Sequence, residues 1–266
     1  MRELLLEEMG RVAGGVKPQA PINLRGFTVR PPRPAMETLP YHPPTRGSGG
    51  VGGGGRAVHM GQAGGGPSPQ TTAGIARIKD QLGVDLTAYA QMSPTLAQAI
   101  STATATYHFD FKWDAGSHLN WVDQVSGVIS INSSAKTDML YFVQQIAHEL
   151  GHVDHRVSDR ASQTPSTVFV SHYLETEGYA TLINERVQHE VLAAGGGDTH
   201  IAGKAGNRAF YDAEYSRWAT GQQSYAQAAS KIGDFYGQHE NTTVNGVEMK
   251  YSDHYISQHR MLGGRE

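Results

Sequence analysis

Residues 137–155 read TDMLYFVQQIAHELGHVDH, and this segment is the most informative about the fold. Its apolar residues recur at spacings of three and four, which places them on one face of a helix. These apolar residues are Leu140, Val143, Ile146, Ala147 and Leu150. The pattern predicts one long amphipathic helix over this stretch, with Thr137 or Asp138 near its start.

Two histidines, His148 and His152, are one turn apart on the predicted helix and share one face, so both imidazoles can bind one metal ion. Glu149 is rotated by about 100° from His148, which suits a carboxylate that contacts a metal-bound water without displacing it. Zinc keeps one position open at catalytic sites and lowers the pKa of bound water to about 7. We expect His148 and His152 to bind zinc and Glu149 to act as general base.

A third zinc ligand is required, and the residues offer three candidates. His155 lies on the same helix, where a third ligand so close to the other two would strain a tetrahedral site. Glu175 and Glu177 lie in LETEGYATLINERV, residues 174–187, on the next predicted helix. Only one of the two is expected to bind, because residues two apart on a helix diverge by about 200°.

The motif HELGH, residues 148–152, followed by EGYA, residues 177–180, resembles the gluzincin group of zincin metallopeptidases. The resemblance implies that Glu177 is the third ligand and Glu175 the runner-up. It implies an α+β fold that is zincin-like and mainly helical, with a small mixed sheet preceding the active-site helix. It also implies peptide-bond hydrolysis. The small Ala180 would let the second helix approach the first.

Three short strands are predicted before the motif, over residues 107–113, 118–122 and 125–131. In zincins a small mixed sheet lies over the active-site helix, and its edge strand pairs with extended substrate. VSGVISI, residues 125–131, is the segment we nominate as that edge strand, and the alternative is an ordinary core strand. Further helices are predicted over residues 72–82, 94–104, 167–194, 205–220 and 223–236, and Asn245-Gly246 predicts a hairpin turn.

A residue that stabilises the oxyanion is also needed, and the C-terminal segment is rich in histidine and tyrosine. The candidates there are His239, Tyr251, His254, Tyr255 and His259. The sequence does not choose among them.

The N-terminal residues 1–15 resemble the double-glycine leaders of bacteriocins. Leu4, Glu8, Met9, Val12, Gly14 and Gly15 occupy the places of the leader pattern. The resemblance implies a secreted bacterial protein, cleaved after Gly15 by an ABC exporter with a peptidase domain; the alternative is a short amphipathic helix ended by glycine. Residues 16–70 are rich in Gly and Pro and predict a disordered linker. The metallopeptidase domain is then expected over residues 71–266.

The composition narrows the kinds of partner and ligand. The chain has 266 residues, a formal charge of −3 and no cysteine, so any metal must be held by His, Asp or Glu. The sequence contains no basic patch, so no nucleic-acid partner is expected. No apolar run approaches the roughly 20 residues of a membrane helix, so no transmembrane segment is expected.

Together these patterns predict a secreted zinc metallopeptidase, a bacterial toxin or effector, that acts on a protein or peptide substrate. One alternative keeps the zinc chemistry but directs it at the peptide cross-links of peptidoglycan. The other alternative is a non-enzymatic, bacteriocin-like binding protein with a structural zinc site, for which His155 would be the fourth ligand.

Overall fold

Helices form most of the part of the protein that the structure describes, and a small mixed sheet precedes the two longest of them. The computed structural model describes residues 66–115, 120–155, 164–244 and 246–264. The α-helices within these residues are α1 Pro69–Leu82, α2 Thr87–Met92, α3 Pro94–Ser101, α4 Met139–Asp154, α5 Ser166–Ala193, α6 Arg208–Ala219, α7 Tyr225–His239 and α8 Tyr251–Met261. The strands are β1 Asp110–Asp114, β2 Trp121–Asp123, β3 Val128–Asn132, β4 Asn241–Val244 and β5 Val247–Lys250. This is the mainly helical α+β class that the sequence predicts.

The first helices begin at hydrogen-bonding caps. The Ser68 side chain accepts a hydrogen bond from the backbone N–H of Thr71 at 3.1 Å, so α1 begins at Pro69, inside the predicted linker. Ser93 caps α3 in the same way, with Pro94 as the first helical residue. Helix α2 was not predicted. The predicted leader and most of the predicted linker lie outside the described residues.

The three-stranded sheet has the order β1-β3-β2, with β3 parallel to β1 and antiparallel to β2. The prediction that residues 125–131 form the edge strand is wrong, because β3 is paired along both sides. Ile129, Ser130 and Ile131 are all fully buried, and a strand buried on both faces suits the centre of a sheet. The edge strand beside α4 is the three-residue β2.

The central helix of the protein is α5, which has 28 residues and runs without interruption through Gly178. It contributes Val187 and Val191 to an apolar cluster with the sheet and helices α1 to α4. It contributes Leu182 to a second cluster with α6 and α7. Near its start, Phe169 packs with Tyr255 of α8. Helix α5 therefore connects every part of the described domain.

The C-terminal region folds back onto α5. Helix α7 begins with a capping box: the Ser224 hydroxyl accepts a hydrogen bond from the Gln227 backbone N–H, and the Ser224 backbone N–H donates one to the Gln227 side chain. Strands β4 and β5 form the antiparallel hairpin that the Asn-Gly pair predicts. Helix α8 was not predicted, because its sequence is largely polar. Only Tyr255 and His259, four residues apart, are buried along it. No helix among the described residues is long and apolar enough to cross a membrane.

Candidate metal centre

The motif helix α4 begins at Asp138, whose side chain accepts a hydrogen bond from the backbone N–H of Tyr141 at 3.0 Å. Its apolar face packs into the main core, which fixes the rotation of the helix and buries His148 and Glu149 on the opposite side. The apolar residues of α4 in that core are Phe142, Val143, Ile146, Ala147, Leu150 and Val153.

Helix α5 crosses α4 directly beside the two histidines. A Cβ atom on Gly151 would lie 2.5 Å from the Cα of Ala180, closer than any real contact allows. The glycine of HELGH and the alanine of EGYA are therefore what let the two backbones meet, as the sequence predicts for Ala180. Gly178 makes a similar approach to α7, where an added Cβ would lie 1.9 Å from the backbone oxygen of Ala229.

The crossing brings His148, His152 and Glu177 together. The Glu177 Oε2 atom lies 3.2 Å from His148 Nε2 and 3.6 Å from His152 Nε2. One potential ligand atom from each of the three residues lies within 4.8 Å of the others. The imidazoles meet edge to face, with their planes at 84°. All three residues that the sequence nominates as ligands thus point at one place.

The donor set fits a zinc ion. Ligand atoms about 2.0–2.1 Å from a tetrahedral zinc stand about 3.3 Å apart, close to the 3.2 and 3.6 Å between Glu177 and the two histidines. Two imidazole nitrogens and one carboxylate oxygen are also the ligand types of catalytic zinc sites with three protein ligands.

The second oxygen of Glu177 is held from α8. The Tyr255 hydroxyl donates a hydrogen bond to Glu177 Oε1, which leaves Oε2 facing the histidines. On α4, the backbone oxygen of His152 accepts a hydrogen bond from Gln124 at 3.0 Å. Both contacts fix groups next to potential ligands, in the way that outer partners orient metal sites. No sequence pattern pointed to Gln124.

Burial and charge set the protonation of the centre. Burial alone would raise the pKa of Glu177, but the charges of His152 and His148, and hydrogen bonds from His148 and Tyr255, hold it below its usual range. Burial lowers the pKa of His152 to about 4, which favours the neutral imidazole that binds metal. Burial raises the pKa of Glu149 to about 8, with His148 acting against the increase.

The two other candidate ligands point elsewhere. The carboxylate of Glu175 faces Tyr179, and burial together with this carboxylate raises the pKa of the Tyr179 hydroxyl. His155 ends α4, and its ring stacks on Tyr179 with centroids 3.5 Å apart. Neither residue belongs to the ligand cluster found among the described residues.

The C-terminal candidates for stabilising the oxyanion make different contacts. Tyr255 binds Glu177, His259 Nε2 lies 2.9 Å from the backbone oxygen of Thr164, and His239 stacks on Phe235. Because the side chains of Tyr255, His259 and His239 already make these contacts, they are not the preferred candidates for stabilising the oxyanion.

Tyr251 and His254 remain close to the centre. Burial lowers the pKa of His254, and the charge of Glu177 opposes the decrease. Burial raises the pKa of Tyr251, and the charges of Glu177 and Glu149 add to the increase. Tyr251 thus lies within the electrostatic reach of both carboxylates.

Comparison with known proteins adds no relative. No protein-family model matches the chain, and no curated protein or solved structure matches it either.

Proposed function

We propose that the protein is a zinc-dependent metallopeptidase of the zincin type. The observation that carries this proposal is the convergence of His148, His152 and Glu177, from two crossing helices, beside the buried carboxylate of Glu149. The position of His155, stacked on Tyr179, gives no support to a closed structural site with four ligands.

Each residue of the centre has its own role in the reaction. His148, His152 and Glu177 would hold the zinc, which supplies Lewis acidity and an acidified water. Glu149 accepts the proton of the water that attacks the peptide carbonyl and then delivers it to the leaving amine. Tyr255 keeps Glu177 turned towards the histidines.

Tyr251 is the residue that this proposal assigns to the oxyanion. Its oxygen accepts hydrogen bonds from Tyr236 and Thr242, each of which acts to lower the pKa of Tyr251. A tyrosine hydroxyl that accepts hydrogen bonds still has its own hydrogen to donate. That hydrogen can stabilise the negative charge that develops on the carbonyl oxygen.

The decisive variant is Glu149→Gln, which removes the general base and keeps the shape of the side chain. We expect kcat/KM to fall at least 100-fold while bound zinc is unchanged. Turnover is measured on two substrates, an unfolded polypeptide and purified peptidoglycan peptides, and zinc by elemental analysis. These two assays also separate the two possible substrate classes.

Two glutamate variants serve as matched controls for this experiment. Glu177→Gln should lose the zinc of this centre together with the activity, whereas Glu175→Gln should keep both, because its carboxylate faces Tyr179. Equal turnover by wild type and Glu149→Gln, or activity of the wild type that survives complete zinc removal, would overturn the proposal. Loss of zinc in Glu175→Gln alone would transfer the ligand role to that residue.

We further propose that the protein is a secreted bacterial toxin or effector, exported with cleavage after Gly15. Support comes only from the resemblance of residues 1–15 to double-glycine leaders. The mass of the secreted protein is the test, because cleavage gives an N-terminus at Val16. A secreted form that retains residues 1–15 would contradict the proposal.

A further inference from the structure

A second group of potential metal ligands lies two turns further along α5. Glu185 and His189 are one turn apart on this helix, and Asp212 approaches them from α6. One potential ligand atom from each residue lies within 4.8 Å of the others. Glu185 follows Glu177 by eight residues, or about 12 Å along the helix axis. This group is therefore separate from the centre at His148.

The buried member of the group is Glu185, whose side chain has no exposed surface. No N–H or alcohol O–H group within the described part of the chain donates a hydrogen bond to either of its carboxylate oxygens, and the group that faces them from α6 is another carboxyl, that of Asp212. A buried carboxylate without a donor is costly, because it has lost water and gained nothing in return. The imidazole of His189 lies close by, with its Nε2 3.7 Å from Glu185 Oε2.

The other two members are oriented by neighbours. The ring of His189 stacks on Tyr215, with centroids 4.5 Å apart and planes at 7°. Arg208 lies 3.7 Å from Asp212 Oδ2, whereas Asp212 Oδ1 faces His189 Nε2 at 4.0 Å. Each residue thus presents one atom to the space that the three share.

The spacing suits an ion better than a direct contact. Distances of 3.7 and 4.0 Å from His189 Nε2 to the two carboxylates exceed those of N–H···O hydrogen bonds, which are about 2.7–3.2 Å. A divalent ion bound at about 2.0–2.2 Å from each ligand would fit between the three after a small closure. His189 and Asp212 are 45% and 42% exposed, so water can complete the coordination.

We propose that Glu185, His189 and Asp212 form a second divalent metal site that joins α5 to α6. One imidazole with two carboxylates suits zinc, and zinc is the probe we would use. The ion would neutralise the buried Glu185 and tie the two helices together. This proposal does not depend on catalysis at the first centre.

The test counts zinc equivalents by calorimetric titration of the metal-free full chain. We expect two equivalents for wild type, one for Glu185→Gln, one for Glu177→Gln and none for the double variant. Asp234→Asn removes an exposed carboxylate from α7 and should keep both equivalents. Circular dichroism checks the fold of each variant, and Asp212→Asn provides a second variant of the same site.

A second measurement reports on the site directly. Zinc should raise the Tm of Glu177→Gln, in which only the second site remains, and should leave the Tm of the double variant unchanged.

The outcomes separate this inference from the proposed function. One equivalent in wild type that Glu177→Gln abolishes and Glu185→Gln retains would overturn the second site and support the first. The reverse pattern would support the second site and contradict the proposed metallopeptidase. No binding by wild type would overturn both.

Discussion

Helix α5 carries two buried glutamates, Glu177 and Glu185, in opposite electrostatic surroundings. Glu177 faces two imidazoles, and Tyr255 donates a hydrogen bond to it, so its pKa is held below the usual range. No N–H or alcohol O–H group of the described residues donates a hydrogen bond to Glu185, and burial, together with the charge of Asp212 and a hydrogen bond with that carboxyl, raises the pKa of Glu185 to about 8. The same side chain on the same helix is thus stabilised as an anion in one place and disfavoured as an anion in the other.

The difference follows from what each neighbouring helix presents to α5. At Glu177, α4 supplies two histidines at close range, because Gly151 lets the backbones meet. At Glu185, α6 supplies a second carboxylate, Asp212, and Arg208 lies beside the oxygen of Asp212 that does not face His189. At the first junction, the described side chains already stabilise the Glu177 carboxylate, and only the zinc would be added. At the second junction, the described side chains supply no counter-charge for the buried Glu185.

The largest effect is expected from Gly178→Ala, which breaks the packing that positions Glu177. The new Cβ would lie 1.9 Å from the backbone oxygen of Ala229, so α5 and α7 must separate. We expect the free energy of unfolding to fall by about 3 kcal/mol, despite the better helix propensity of alanine. Urea denaturation measures the loss, and zinc titration shows whether the centre survives.

The matched control for that substitution is Gly206→Ala. An added Cβ there meets no heavy atom within 4 Å. The expected change in the free energy of unfolding is less than about 1 kcal/mol. Equal stabilities for the two alanine variants would show that close packing at Gly178 does not hold the junction.

A smaller effect is expected from Tyr255→Phe, which removes the hydrogen bond to Glu177 Oε1 and leaves the ring in place. Outer-shell partners of this kind contribute about 10- to 100-fold to metal affinity, so zinc should bind more weakly by that factor. Competition with a chelator measures the affinity. Tyr141→Phe, at a partly exposed position on α4, should leave it unchanged.

The sequence predicted the first junction better than the second, for physical reasons. Helix α4 has a strong apolar period and a capping aspartate, and its histidines share one face by spacing alone. Glu177 was chosen through a four-residue resemblance, and the structure brings it to the histidines. Glu185 and His189 have the same spacing of four, but Asp212 comes from a helix whose packing no local pattern reveals.

The errors of prediction also arise from long-range contacts. Residues 125–131 were expected at a sheet edge, yet pairing order depends on where β1 and β2 lie and not on the apolar run itself. Helix α8 has a polar sequence and is fixed by two buried residues, Tyr255 and His259, so its amphipathic signal is weak. The hydrogen bond from Tyr255 to Glu177 joins residues 78 positions apart.

The smallest effect concerns the pH dependence of Glu185 in protein stripped of metal by a chelator. Below a pH of about 4.5 its carboxyl is protonated in both folded and unfolded chains, so it makes no difference to stability. Between about 4.5 and about 8 the unfolded chain releases the proton and the folded chain keeps it. Stability therefore falls as pH rises through this window, and the fall levels off above about pH 8.

Glu185→Gln removes this titration without changing the shape of the side chain. Because water reaches the half-exposed His189 and Asp212, we expect the variant to gain only about 1 kcal/mol over wild type between pH 5 and pH 8. Urea denaturation at a series of pH values measures the difference, and Asp234→Asn should follow wild type throughout. If the free energies of unfolding of wild type and Glu185→Gln change in parallel with pH, a donor already satisfies Glu185. The contrast with Glu177 would then disappear.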